Sequence, residues 1–350
     1  MLIVEPNMTG HRPYYVKMLV GAVVATGGSA VVATRPGEFE SDDAAIHLRE
    51  VSGGFRRVEL GEFSLATVAR LSSEVSATGT VIPDGDRFAL RLAFTGGWRG
   101  AGSLSILVMR EVAQPASGRG VQAAKTTLRS MLFRRVNSFR NVRLAVLKSP
   151  WWTGTSTFPV VLDPITFRGS SAVEERLSAE WELDPSRYWF AVLGAISRRK
   201  NVDLIARALA EAEASAIGLL VAGGWDATMG DETTDALARL RASGVPVVII
   251  NRRLQDEELD AAVARVDCLV LAHSNEGPSG LLGKAAVAGT RVVAAGARSL
   301  EEDLKRLPGL GTWVELNVSA LSQAFGKAAK AKRPAPQWDQ HANDFARALL

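Results

Sequence analysis

The alternation of short apolar runs with amphipathic segments is the feature that most constrains the fold of this 350-residue chain. Such alternation predicts strand–helix–strand units, which build parallel sheets covered by helices. In the first half, the apolar runs predict strands at 1–5, 29–34, 80–83, 104–109 and 142–147. The segments between them predict helices near 14–26, 64–76, 86–94 and 123–138. We therefore expect an α/β fold.

After a turn-rich join at 149–171, the same pattern starts again. It predicts strands at 189–193, 217–221, 245–250, 268–271 and 291–294, and helices near 201–214, 231–241, 256–265, 279–287 and 300–305. Two Rossmann-like, doubly wound domains, 1–165 and 166–335, are the simplest interpretation. A helical segment at 338–350 is expected to pack back on the first domain. Since open parallel sheets bind ligands at the carboxyl ends of their strands, we expect the site in a cleft between the domains.

Composition excludes several classes of protein. Hydrophobic residues make up 47% and charged residues 22%, as in globular proteins, and no apolar run reaches the roughly 18 residues of a membrane span. The single cysteine, Cys268, rules out a disulfide framework, and four scattered histidines argue against a catalytic metal site. The sequence begins in an apolar run with no basic leader, so we expect a cytoplasmic protein that needs no cofactor.

Charge is distributed unevenly along the chain. Residues 1–165 carry 19 Lys and Arg against 13 Asp and Glu, whereas 166–350 carry 22 against 24. The basic segment 119–152 contains no acidic residue, which favours an anionic partner. Four of its apolar residues recur at helical spacing: Leu128, Met131, Leu132 and Val136. We interpret that face as core, with contact to an anionic membrane as the alternative. Nucleic acid is a poorer partner, because the chain has no recognition motif for it.

The strongest local pattern is the segment 276–280, Glu-Gly-Pro-Ser-Gly, which follows an apolar strand and opens a helix. Pro278 and Ser279 suit the first positions of that helix. Backbone N–H groups there would point at an anion such as a diphosphate: those of Ser279, Gly280 and Leu281. Glu276 could accept hydrogen bonds from sugar hydroxyls. The alternative is a capped structural helix, with Glu276 interacting only with its dipole.

A second loop follows the first strand of the same half. The strand ends at Gly194, and three consecutive cations, Arg198, Arg199 and Lys200, lead into a helix. Cations are unfavourable at a helix N-terminus, so three of them there suggest a bound anion. A solvated, charged turn is the alternative.

Together, the two loops resemble the donor half of GT-B glycosyltransferases, and the nearest match is the retaining glycosyltransferase family 4. The resemblance covers roughly residues 159–330, while the first half matches only in its layout and at 6–15. The residues that carry it lie at 194–200, Asp267, 276–280 and 286–293. The resemblance implies a GT-B fold whose two domains face a cleft, and sugar transfer from a nucleotide-diphosphate donor with retention and without a metal.

The resemblance also implies roles for individual residues. Lys200, Ser279 and Gly280 would bind the donor diphosphate, and Glu276 would contact the transferred sugar. The loop after the strand at 245–250 would hold the base, which brings in Arg253 and Leu254.

Two departures from the family pattern affect these roles. Lys284 stands where the family has a second Glu that grips the ribose, and an ammonium cannot accept a hydrogen bond. Other groups would then bind the ribose, or Lys284 would contact a phosphate instead. Ala195 stands where an Arg is common, and Arg198 or Arg199 could take its place.

These departures keep a different class of protein open, a non-catalytic GT-B binding or partner subunit. A nucleotide-sugar epimerase is a further alternative, which would need no acceptor. A nicotinamide-dependent dehydrogenase is the weakest, since no Gly-x-Gly-x-x-Gly follows the first strand.

Candidates in the first half follow its strands. Gly10 would let the backbone approach a diphosphate, and His11 is a candidate catalytic residue. Four residues are candidate contacts for an acceptor: Arg12, Asp84, Asp86 and Arg110. The two aspartates could instead cap the helix that begins beside them.

We therefore predict a metal-independent hexosyltransferase that acts on a hydroxyl of a glycan, a lipid-linked or a small-molecule acceptor, at the inner face of a membrane if the basic segment binds lipid. The catalytic candidates are Glu276, Lys200, Arg198 and His11. The donor-binding candidates are Gly10, Gly194, Arg199, Arg253, Leu254, Pro278, Ser279, Gly280, Leu281 and Lys284.

Overall fold

The computed structural model describes residues 1–111, 119–227, 229–277, 279–337 and 344–350. They divide into two compact units. The first unit comprises the described residues of 1–148, then 153–163 and a C-terminal helix, and the second comprises 149–152 and the described residues from Pro164 to Gln337. Each unit is built on one parallel β-sheet. Within the described ranges, no helix is both long and apolar enough to cross a bilayer.

The first unit has a seven-stranded sheet in the order β3-β2-β1-β4-β5-β6-β7. Its strands are β1 (Leu2–Val4), β2 (Ala30–Thr34), β3 (Phe55–Glu59), β4 (Gly79–Ile82), β5 (Ser103–Val108), β6 (Val142–Lys148) and β7 (Val160–Leu162). The helices between them are α1 (Arg12–Ala25), α2 (Asp42–Leu48), α3 (Leu65–Glu74), α4 (Asp86–Leu92) and α5 (Arg119–Asn137).

The second unit has a six-stranded sheet in the order β10-β9-β8-β11-β12-β13. Its strands are β8 (Tyr188–Leu193), β9 (Ile217–Ala222), β10 (Val247–Ile250), β11 (Cys268–His273), β12 (Arg291–Gly296) and β13 (Gly311–Val314). Its helices are α6 (Ser171–Glu180), α7 (Val202–Ala210), α8 (Asp231–Ala242), α9 (Asp256–Arg265), α10 (Gly280–Ala288), α11 (Arg298–Lys305) and α12 (Val318–Ala329).

Helices cover both faces of each sheet, and this explains why the central strands are apolar throughout rather than alternating. All six residues of β9 are buried, as are all six of β11. Two clusters of buried side chains, one on each face, form the core of the second unit. The first unit has two equivalent clusters. The last helix, α13 (Asp344–Leu349), belongs to the first unit, where the Phe345 ring lies 4.7 Å from that of Tyr15.

The predicted fold class, two doubly wound parallel sheets, is confirmed. Six elements were not predicted from the sequence: α2, β3 and β7 in the first unit and α6, β13 and α12 in the second. The strand β3 escaped notice because Arg56 and Arg57 interrupt it, and exposed cations are tolerated at the edge of a sheet. The strand β7 has only three residues and lies in a segment rich in turn-forming residues.

The expected core face of the basic helix is partly wrong. Val136 is buried and Leu132 packs against the core, but Leu128 and Met131 are 58% and 59% exposed. The face of α5 that enters the core is centred on Phe133 and Val136 instead. The apolar spacing was compatible with either side of the helix, and only the packing of the unit distinguishes them.

Candidate functional site

The two loops that the sequence analysis selected are joined at the carboxyl edge of the second sheet. Strands β8 and β11 are parallel neighbours, so the loops that follow them begin side by side. The Ser274 amide donates to the Arg199 carbonyl oxygen at 3.0 Å, and the Asn201 side chain donates to the Ala272 carbonyl oxygen at 2.8 Å. These bonds hold the cationic turn at 198–200 against the strand that leads to Glu276.

Lys200 is folded back beneath this edge. A left-handed conformation at Gly194 (φ +79°) ends β8, and a single 3₁₀ turn, Arg198–Lys200, then returns the chain. The Lys200 side chain is only 4% exposed, and its amine donates to the Leu193 carbonyl oxygen. A Cβ placed on Gly194 would lie 3.5 Å from the amine and 3.8 Å from a Leu281 methyl group. The Lys200 amine and the first turn of α10 therefore both lie beside Gly194.

Burial changes the proton affinity of the Lys200 amine. Burial, together with the smaller effect of the neighbouring Arg199 charge, lowers the pKa of Lys200 to about 7. A bound anion would stabilise the protonated form of this amine and so raise its pKa again. The site therefore favours a negatively charged ligand.

His273, the last residue of β11, was not among the residues predicted from the sequence. Its Nε2 atom is buried and has no hydrogen-bond partner among the described residues. Burial, with the charges of Lys200 and Arg199, lowers the pKa of His273 to about 3, so the ring is neutral. A single histidine in an apolar run carries no signal in a sequence, and only the pairing of β11 with β8 brings this one beside Lys200.

The N-terminus of α10 has the geometry that its sequence predicts. Ser279 is the N-cap, and its hydroxyl accepts a hydrogen bond from the Leu282 amide. The amides of Gly280 and Leu281 belong to the first turn, where no intrahelical acceptor exists for them. They can therefore donate to an anion, and the helix dipole adds to the attraction. Pro278 lies outside the described residues.

Glu276 lies on an exposed loop and caps a different helix from the one considered in the sequence analysis. Its two carboxylate oxygens accept hydrogen bonds from the amides of Arg298 and Ser299, both at 3.0 Å, at the start of α11. The Ser299 hydroxyl completes the contact by donating to the Gly277 carbonyl oxygen at 2.9 Å. The loop that carries Glu276 is thus fixed to the N-terminus of α11.

Lys284 has an internal partner. Its amine donates to the Asp260 carboxylate, which is 1% exposed, and to the Thr166 carbonyl oxygen at 2.7 Å. The same carboxylate accepts from the Arg168 amide at 2.7 Å. A phosphate would have to compete with Asp260 for this amine, so the geometry favours a structural ion pair between α9 and α10.

Two further donor candidates of the second unit, Arg253 and Leu254, lie on the loop after β10. Leu254 is 8% exposed and belongs to the core, whereas Arg253 is exposed. The Asn251 side chain accepts from the Trp225 amide at 3.1 Å, which joins the loops after β9 and β10. Arg198 is exposed and lines a small cavity of about 140 Å³ beside the start of α8.

In the first unit, Arg12 and Asp84 form a pair at the carboxyl edge of the sheet, with 2.7 Å between Nε and Oδ2. The same guanidinium lies 3.8 Å from Glu5, which follows β1 and is 1% exposed. Burial raises the pKa of Glu5 to about 8, and its Oε2 atom has no hydrogen-bond partner among the described residues. Glu5 was also missed, because one carboxylate after a strand is too common to be distinctive.

The other first-unit candidates have different neighbours. The His11 ring lies 5.0 Å from that of Tyr15, and the Gly10 amide donates to the Asp43 carboxylate. An amide already bound to a carboxylate is a poor donor to a diphosphate. Asp86 accepts from the Met109 amide and pairs with Arg129, which also donates to the Arg110 carbonyl oxygen. Asp86 and Arg110 are therefore joined through Arg129, and Asp86 serves the packing of α5.

No group of three or more His, Cys, Asp and Glu side chains is arranged to hold a metal ion in the described part of the chain.

The fold is similar to that of several solved glycosyltransferases. HepE from Anabaena, solved in complex with UDP, has a TM-score of 0.68 at 14% identity, over 99% of this chain and 94% of that chain. WaaG, a glycosyltransferase involved in lipopolysaccharide biosynthesis, has a TM-score of 0.66 at 14% identity, over 99% and 93%. The sucrose-phosphate synthase of Thermosynechococcus elongatus has a TM-score of 0.64 at 16% identity, over 99% and 94%.

No family profile matches the sequence, and no curated protein matches it. At these identities the similarity establishes the fold. The chain has the GT-B fold that the two loops predicted.

The buried amine makes stability depend on pH. The folded chain binds the Lys200 proton less tightly than the unfolded chain does, so burying the charged amine costs most below pH about 7. The cost fades as the pH rises towards about 10.4, the ordinary lysine value. We expect Lys200→Met to raise the free energy of unfolding by a few kcal/mol near neutral pH, since a tenfold change in proton affinity is worth about 1.4 kcal/mol. Urea unfolding of the unaltered chain and of Lys200→Met, near neutral pH and above the ordinary lysine pKa, measures the difference in free energy of unfolding. A gain that is equal at the two pH values would contradict this account.

The cap at α11 predicts a cost for removing the Glu276 carboxylate. We expect Glu276→Ala to lower the free energy of unfolding by about 1–2 kcal/mol, because two amides at the start of α11 lose their acceptor. Glu276→Gln should cost less, since one oxygen acceptor remains. Glu302→Ala, at an exposed position on the same helix, is the control and should change stability by less than about 0.5 kcal/mol. Equal losses for Glu276→Ala and Glu302→Ala would exclude the cap.

Proposed function

We propose that the protein transfers a sugar from a nucleotide-diphosphate donor to an acceptor hydroxyl. The observation that carries the proposal is the buried Lys200 amine beside the first turn of α10. A lowered lysine pKa and amides without intrahelical acceptors both favour an anionic ligand, and a diphosphate is such a ligand. HepE has been solved with UDP and with UDP-glucose, which makes a uridine donor the first to test.

In this proposal, the second unit stabilises the leaving group. The bond between the anomeric carbon and the diphosphate oxygen breaks, and its electron pair stays on the diphosphate. Lys200 and the amides of Gly280 and Leu281 would stabilise that growing charge, which is the largest contribution such a site can make. The acceptor oxygen bonds to the anomeric carbon, and its proton passes to the departing diphosphate. Retention of configuration follows only from the resemblance to family 4.

Glu276 has two roles in this proposal. Its carboxylate holds the start of α11, and its position on the loop between β11 and α10 suits a contact with the donor sugar. The exposed Arg198 and Arg199 would add positive charge near the phosphates, and Arg253 would lie by the base. Lys284 would act on the donor only indirectly, by fixing α10 against α9 through Asp260.

The first unit would bind the acceptor. Arg12 and Asp84 supply a hydrogen-bond donor and acceptors suited to hydroxyl groups, and the buried Glu5 carboxyl lies 3.8 Å from the Arg12 guanidinium. A glycan, a lipid-linked molecule and a small molecule all fit that chemistry. His11 remains a candidate at this edge, and peripheral contact with an anionic membrane through 119–152 remains a prediction.

A non-catalytic GT-B binding protein is the second candidate. The observation that favours it is the Lys284–Asp260 ion pair, which occupies the position where family 4 has its second Glu. Such a protein would still bind a nucleotide, but it would release no nucleoside diphosphate from a nucleotide sugar in the presence of acceptors. An epimerase would instead yield an isomer of the sugar with no acceptor present.

A thermal-unfolding panel of uridine, guanosine, adenosine and thymidine diphosphates tests the donor site. A ligand at about 100 times its dissociation constant stabilises by roughly 2.7 kcal/mol, which raises the midpoint of a chain this long by a few degrees. We expect UDP to give such a shift, Lys200→Met to abolish it, and Lys327→Met, at an exposed lysine of the same unit, to preserve it. Each shift is measured against the same variant without ligand, because Lys200→Met itself changes stability.

A shift with a different diphosphate would keep the site and change the base. The absence of a shift with all four would contradict the proposed donor site. A shift that Lys200→Met retains would show that the nucleotide binds elsewhere.

A further inference from the structure

A cavity of about 520 Å³, named here the β10 cavity, lies beside the edge strand of the second sheet. Strand β10 forms one side of it, and residues between 180 and 189, from the end of α6 to the start of β8, form the other. Its volume is that of a small-molecule site. Trp189 lies four residues before the end of β8, so about 13 Å of strand separates the cavity from the turn at Gly194.

A glycine in β9 fixes one wall of the β10 cavity. A Cβ placed on Gly218 would lie 2.6 Å from the Trp189 ring, so the glycine lets this indole extend from β8 across β9 towards β10. The Trp189 Nε1 atom donates to the Asp184 carbonyl oxygen at 2.9 Å. This bond joins the indole to the turn that follows α6, and the wall is therefore formed before any ligand binds.

A second indole supplies a hydrogen-bond donor that the fold leaves unused. Trp181 lines the cavity and is 3% exposed. Its Nε1 atom is buried and has no hydrogen-bond partner among the described residues. A buried donor without an acceptor is costly, and an oxygen atom of a ligand would remove that cost.

The rim of the cavity carries more acidic than basic groups. Three carboxylates and one guanidinium line it: Glu180, Glu182, Asp184 and Arg187. Asp184 pairs with Arg187 at 3.3 Å, and Glu180 lies 3.5 Å from Arg252. Glu182 is exposed and forms no ion pair within the ranges that the structure describes. Its charge is therefore available to a cation.

The backbone also distinguishes Glu182. This residue follows the C-cap of α6 with a φ of +52°, in the left-handed region that favours glycine at the end of a helix. A side chain in this conformation costs conformational free energy that glycine would not. No ion pair with a described residue offsets that cost, which indicates a role for the carboxylate in binding.

We propose that the β10 cavity binds a saccharide that carries a free amine. The ammonium group would pair with Glu182, and a ring hydroxyl oxygen would accept from the Trp181 indole N–H. The C–H groups of the sugar ring would pack against the half-buried side chains of Val248 and Ile250. A simple ammonium ion has no acceptor for Trp181, and a neutral sugar leaves Glu182 without a counter-charge. The cavity is separate from the donor edge, so the proposal goes beyond the proposed function and stands or falls separately.

Titration of the full, isotope-labelled chain with D-glucosamine tests the proposal by nitrogen–proton NMR. The indole N–H signal of Trp181 is identified by its absence from the spectrum of Trp181→Phe. At slightly acidic pH, where the sugar amine is protonated, we expect a saturable shift of this signal that saturating UDP leaves unchanged. N-acetylglucosamine keeps the ring without the charge, and ethylammonium keeps the charge without hydroxyl groups. Both should bind at least about fivefold more weakly than glucosamine.

Two substitutions of Glu182 separate binding from folding. Glu182→Gln removes the charge and should weaken glucosamine binding about fivefold. Glu182→Gly should weaken it at least as much, yet leave the unfolding midpoint unchanged or higher, because glycine adopts the left-handed conformation without steric cost. Glu315→Gln, at an exposed position of the same unit, is the matched control and should bind as the unaltered chain does.

Four results would overturn the proposal. The first is the absence of a saturable shift at tens of millimolar glucosamine. The second is equal affinity for glucosamine and either of the two comparison ligands, and the third is a Glu182→Gln variant that binds as tightly as the unaltered chain. The fourth is competition by UDP, which would place the amino sugar at the donor edge instead.

Discussion

Parallel strand pairing determines where the polar residues of each unit can lie. In a parallel sheet, the residues that follow neighbouring strands come out at the same edge. Phe190 on β8 pairs with Cys268 on β11, and this register brings the turn that carries Lys200 to the loop that carries Glu276. In the first unit, Leu2 on β1 pairs with Thr80 on β4, which brings Glu5 and Asp84 within reach of Arg12. A slip of one residue would reverse the faces of these strands and separate the groups.

The buried polar groups of the candidate site lower the free energy of unfolding of the second unit. Burying the Lys200 amine costs free energy, and the neutral His273 ring leaves Nε2 without a partner among the described residues. The apolar strands β8, β9 and β11 offset that cost through their complete or near-complete burial. A polar group that is kept buried and poorly satisfied indicates a functional requirement more strongly than an exposed cation does. The buried Lys200 is therefore a stronger indication of an anion site than the exposed Arg198 or Arg199.

The sequence predicted the layout well because the doubly wound pattern repeats over many residues. It also predicted the turn at Gly194 and the capped start of α10, where the residue types have a local cause. Contacts between distant residues could not be predicted in this way. The Lys284–Asp260 pair, the bonds from Glu276 to the start of α11 and the position of His273 beside Lys200 all depend on which strands are neighbours. The exposure of Leu128 and Met131 depends on which side of α5 meets the core, and helical spacing alone leaves that open.

The proposed function requires the carboxyl edge of the second sheet to bind the donor diphosphate. Hydrogen–deuterium exchange of the full chain with and without UDP tests it most directly, because it reports on the amides that would hold the phosphates. If UDP binds there, we expect slower exchange in peptides that cover 194–201 and the first turn of α10, including the amides of Gly280 and Leu281. We expect no change at 5–12, where the Gly10 amide already donates to Asp43. Protection confined to the first unit, or unchanged exchange at the start of α10 under saturating UDP, would contradict it.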